Sequence, residues 1–121
     1  MQQGVATAHA LVSDIVSRLA KFFPQATPVR IPIRLSRTHG NGNGNGQGHT
    51  FFQETVIEFG TPREVLFALD RPLEFADRVL LESKDGALRA EASVVAVQYH
   101  SEWTVVAARF LKDVPNWIVK S

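Results

Sequence analysis

The chain has 121 residues, a length that suits one ordinary domain and is too short for two. It contains no cysteine, which excludes disulfides, thiolate metal sites and cysteine nucleophiles and fits a reducing compartment, so a cytoplasmic location is expected. The net charge of +1 argues against bulk electrostatic capture of nucleic acid, and none is expected as a partner.

Residues 5–22 carry the first pattern. Val5, Ala8, Val12, Ile15, Leu19 and Phe22 recur at steps of three and four, which predicts an amphipathic helix with one apolar stripe. Pro24 ends it, because proline lacks the amide hydrogen and biases the preceding residue away from helix. Val16 and Phe23 widen the apolar face. A face this wide packs on something, either its own domain or the same helix of a second copy. Residues 5–22 are therefore a candidate homodimer or protein-partner surface. No run approaches the roughly 18 apolar residues of a membrane span, and no basic stretch followed by an apolar one marks a secretory leader.

From residue 28 the period changes to two. Val29, Ile31, Ile33 and Leu35 alternate with Arg30, Pro32, Arg34 and Ser36, the pattern of a half-buried strand over 28–37. Pro32 suggests an edge or a bulge. Residues 40–48, alternating glycine with asparagine or glutamine, predict a flexible hairpin connection. They lack the lysine and hydroxyl residue of a phosphate-binding loop. Further strands are expected at 50–59, 64–69, 77–83, 87–99 and 103–111, with turns at Asp85-Gly86 and Ser101-Glu102. Six antiparallel strands favour a closed barrel, because closure removes exposed edges. The expected fold is mainly β: a six-stranded antiparallel barrel over residues 26–121, preceded by a helical extension over residues 1–25. Trp117 is expected to pin the tail across one barrel opening or to pack plainly in the core.

Catalytic patterns are missing. His9, His39, His49 and His100 form no metal-binding spacing, although His39 and His49 flank the glycine run. Glu54 and Glu58 share a strand parity, and Asp70, Glu74 and Asp77 surround a short strand, with no positioned nucleophile or base. Neither an enzyme nor a metal or cofactor is expected. Charge is uneven: residues 1–49 hold five basic residues against Asp14 alone, and the remainder holds eight basic against eleven acidic. That asymmetry points to a local anion site or to a solvated surface. Arg30, Arg34 and Arg37 are the candidate cluster, with Arg63 a later addition. Arg30 and Arg34 share a parity and sit about 13 Å apart along a strand, a separation that suits two anionic groups or a phosphate and a base face. Phe51, Phe52 and Tyr99 could serve a single-strand-binding barrel, but the acidic body opposes it.

The run Thr27-Pro28-Val29-Arg30-Ile31-Pro32-Ile33-Arg34-Leu35 resembles the entry to a PilZ domain. Asp70-Arg71-Pro72-Leu73, Ala76 to Glu82, Val105 to Leu111 and Pro115-Asn116-Trp117 are similar to its later segments. The resemblance covers about residues 27–118. It implies a six-stranded antiparallel barrel in a bacterial second-messenger pathway, with cyclic di-GMP as ligand. Arg30 and Arg34 then match an Arg-x-x-x-Arg motif that grips phosphate and stacks on guanine. A second motif, Asp/Asn-x-Ser-x-x-Gly, falls on Phe59, Thr61 and Glu64, so only Thr61 is a conservative match, and Arg63 offsets Glu64 in part. Two readings follow: a cyclic di-GMP receptor using Arg30, Arg34, Arg37, Thr61 and Arg63, or a barrel that has lost the ligand and acts as a protein-interaction module.

Overall fold

The computed structural model describes residues 3–39, 52–115 and Trp117, with side chains described over 12–37, over 52–115 and at Trp117. The glycine run, His49, Phe51 and residues 118–121 lie outside the described residues, as do the side chains of Val5, Ala8, His9 and His39. Helix α1 (Gln3–Ala20) precedes strands β1 (Thr27–His39), β2 (Phe52–Gly60), β3 (Glu64–Leu69), β4 (Arg78–Ser83), β5 (Arg89–Tyr99) and β6 (Thr104–Phe110). The strands close a barrel in the order β1-β2-β3-β6-β5-β4, every neighbouring pair antiparallel. This is the mainly β, six-stranded barrel with an N-terminal helix that the periodicity predicts.

Strand parity builds two cores. Ile33, Leu35, Phe67, Leu81, Val94 and Val106 point inward and fill the barrel. On the outside, Leu66, Ala68, Val105 and Ala107 of β3 and β6 meet Ile15, Val16 and Leu19 of α1. This explains why residues 65–69 read as an unbroken apolar run: Val65, Phe67 and Leu69 face the lumen while Leu66 and Ala68 face the helix, and Glu64 at the head of β3 is buried as well. The apolar stripe of the helix, where its side chains are described, is therefore taken up by its own barrel. Burying each such side chain contributes about 1.5–3 kcal/mol. Ile15 is almost fully buried, so Ile15→Asp is expected to lower stability by about 3 kcal/mol, through lost burial and an unpaired charge. Urea denaturation tests this, and an unchanged midpoint would show that the barrel does not hold the helix.

The helix ends earlier than residue 22. Lys21, Phe22 and Phe23 donate their amides to the carbonyls of Arg18, Leu19 and Ala20, a three-residue pitch ahead of Pro24. Tighter winding turns Phe22 off the stripe: it is exposed, and Phe23 packs on the helix–barrel core instead.

Pro32 stands beside a ladder end, not on an edge. Its carbonyl accepts the Lys84 amide at 3.3 Å, so its missing N–H falls on the same side, just before β1–β4 pairing begins at Ile33. The bulge lies earlier in β1, between Pro28 and Ile31, where Arg30 adopts φ 54°. Between β4 and β5, Gly86 takes φ 79°, which the Asp85-Gly86 signal anticipates. The Ser83 hydroxyl donates to Asp85 Oδ1 at 2.6 Å, and the Ala87 amide donates to the same atom at 2.9 Å. Both bonds favour the ionised form and hold the Asp85 carboxyl below its usual range. Their contribution is present above the ordinary carboxylate pKa and is lost as pH falls through the depressed one.

Candidate ligand site

The five residues singled out in the sequence are spread along the barrel from one rim to the other. Thr27 of β1 pairs with Gly60 of β2, and Glu64 opens β3, so the Arg30 bulge and the turn holding Thr61 and Arg63 belong to one rim. Arg37 lies near the far end of β1, opposite Val79 of β4. Arg34 lies between them.

Arg34 projects outward between the buried Ile33 and Leu35. Its register partners are Glu54 on β2 and Glu82 on β4, and Glu82 in turn pairs with Arg89 on β5. The outer surface therefore carries a cross-strand row of alternating sign, Glu54, Arg34, Glu82, Arg89. Arg89 Nε reaches Glu82 Oε2 at 3.1 Å, and Lys84 Nζ reaches Glu54 Oε1 at 3.3 Å. The Arg34 guanidinium also stacks over Phe52, 4.4 Å from the ring centroid. Two carboxylates flank this arginine, and an incoming phosphate would meet both.

Arg37 is on the inward parity. Its Nη2 lies 3.5 Å from Oδ1 of Asp77, a fully buried carboxylate whose Oδ2 accepts the Glu74 amide at 2.8 Å. Its Nε is buried without a hydrogen-bond partner. The structure does not bring Arg37 together with Arg30 and Arg34: strand parity turns it into the barrel mouth, where it faces the loop preceding β4. This corrects the expectation of one three-arginine cluster.

The turn between β2 and β3 is closed by its own side chains. Thr61 Oγ1 accepts the amides of Arg63 at 3.0 Å and Glu64 at 2.8 Å. The Thr61 hydroxyl donates to Glu64 Oε1 at 2.5 Å. The other carboxylate oxygen of Glu64 takes a fork from Arg109 of β6, with Nε at 2.9 Å and Nη2 at 2.7 Å. Glu64 is buried, with its side chain 11% exposed, whereas that of Arg109 is 52% exposed. The cation that balances Glu64 is thus Arg109; Arg63 is exposed at the turn. Arg109 escapes sequence reasoning because it lies 45 residues away and only the Glu64–Arg109 register joins them.

The same turn receives Trp117. Its Nε1 donates to the Thr61 carbonyl at 2.9 Å, and its ring meets Phe110 edge to face with centroids 5.4 Å apart. Trp117 therefore belongs to the lumen core and closes this rim from inside. Among the described residues no group of three His, Asp or Glu side chains is placed to hold a metal ion. No helix in the described residues is long and apolar enough to cross a membrane.

Among models of known protein families none matches this sequence, and no curated protein matches it either.

Proposed function

We propose that this chain is a non-enzymatic bacterial signalling barrel of the PilZ kind that works as a protein-interaction module without gripping cyclic di-GMP. The observation that carries the reading is Glu64. Its carboxylate sits where an anionic ligand would have to approach the Thr61 turn, and Thr61 and Arg109 already hold it. The other candidate cations add support: Arg34 lies between two glutamates and Arg37 faces Asp77. With the described helix stripe buried on the barrel, the partner surface falls to the outer face of β2, β1, β4 and β5 or to a rim.

The receptor reading keeps one observation in its favour, since Arg30, Thr61 and Arg63 share a rim through the Thr27–Gly60 pairing. Titration calorimetry with cyclic di-GMP decides between the two. The expected result is no saturable heat from the unaltered chain. Saturable binding abolished by Arg34→Ala would establish the receptor instead. Arg34→Ala is a clean probe, because an exposed strand arginine between carboxylates contributes within about 1 kcal/mol of stability.

A further inference from the structure

Three hydrogen-bond donors converge on one carboxylate at the β2–β3 rim: the Thr61 hydroxyl on Oε1, and Arg109 Nε and Nη2 on Oε2. Two of these donors come from a guanidinium fork, the geometry that suits carboxylates and phosphates alike. The acceptor is tethered by only the two methylenes of Glu64, and its backbone is fixed independently. The Glu64 amide bonds to Thr61 Oγ1, and its carbonyl accepts the Thr61 amide at 2.9 Å. The backbone beneath the donors, and the oxygen of Thr61, are likewise held without help from the carboxylate. Arg109 sits in the β3–β6 ladder, and Thr61 Oγ1 is fixed by two amides.

We infer that this rim is an oxyanion site filled in cis. The side chain of Glu64 acts as a tethered competitor, and an external carboxylate or phosphate gains the Thr61–Arg109 donors only by displacing it. The inference rests on the reading above that the turn is already filled. What it adds is that Glu64 occupies a donor set able to hold an anion, and that Glu64, not a shortage of cations, keeps anions out. Truncation at Glu64 leaves the buried Thr61 hydroxyl without its acceptor and the half-exposed Arg109 without its carboxylate, a state that a small anion relieves.

The test is chemical rescue. Glu64→Ala is expected to melt below the unaltered protein. At constant ionic strength, replacing chloride with 100 mM acetate is expected to raise its midpoint by roughly 4 °C while leaving the unaltered protein unmoved. A parallel arm uses inorganic phosphate; rescue by either anion supports the site, and the pattern assigns it to carboxylate, to phosphate or to both. Glu64→Gln, which keeps the bulk, is expected to show no rescue. Equal shifts in the unaltered and Glu64→Ala proteins, or rescue that persists in Glu64→Ala/Arg109→Ala, would overturn the inference. Cyclic di-GMP binding to the unaltered chain would overturn the proposed function and leave the rescue result standing, so the two can fail separately.

Discussion

Asp77→Ala is expected to lower folding stability by about 3 kcal/mol. Asp77 is fully buried, and its carboxylate holds both the Glu74 amide at 2.8 Å and one edge of Arg37. Its backbone joins the loop to β5, because the Val94 amide donates to the Asp77 carbonyl at 2.9 Å. Removing the carboxylate strips the Glu74 amide of its acceptor and leaves the largely buried Arg37 guanidinium without this counter-charge. The 3.5 Å separation and the 21% exposure of the Arg37 side chain place the cost at the lower end of what breaking a buried pair incurs. Guanidinium chloride unfolding of Asp77→Ala, Arg37→Ala and the double variant measures the coupling. Strictly additive losses would show that the two side chains do not interact. Loss of stability in Arg37→Ala also means that any binding defect in that variant reports on folding first.

The second large effect is expected at Gly60→Ala. A Cβ at this position would fall within 2.5 Å of Trp117 Cζ2 and closer still to Cη2, and the obstructing atoms belong to a rigid indole. The ring would have to leave, giving up its burial, its bond to the Thr61 carbonyl and its edge contact with Phe110. The expected loss is about 3 kcal/mol, with a red shift of Trp117 fluorescence measured in a Trp103→Phe background. Once the indole is gone, alanine at position 60 meets no obstruction there. The double variant Gly60→Ala/Trp117→Ala should then be no less stable than Trp117→Ala. A Gly60→Ala protein with unshifted emission and unchanged stability would place the indole elsewhere.

Much of the architecture is legible in the residues. The change of period from 3.6 to two near residue 28 separates helix from strands. The Asp85-Gly86 pair marks a turn that does adopt positive φ at Gly86. Phe22 shows where local pattern stops short. Its spacing places it on the stripe, but the i to i−3 bonds before Pro24 rotate it into solvent, a change of pitch that apolar spacing alone does not encode. The candidate site was legible only as a list of residues. Arg30, Arg34 and Arg37 are neighbours in sequence, yet a bulge, a charge ladder and an inward parity give them three different surroundings.

By itself, then, the sequence determined the element types, their order and the closed antiparallel barrel, because hydrophobic periodicity and turn chemistry act within a few residues of each position. Tertiary structure decided which charge meets which. Glu64 and Arg109 are 45 residues apart, and Arg37 and Asp77 are 40 apart. Each pair exists because barrel closure brings its two partners onto the same rim. Register is set by core packing over the whole barrel, so the occupied state of the Thr61 turn emerges only when β3 and β6 are laid side by side.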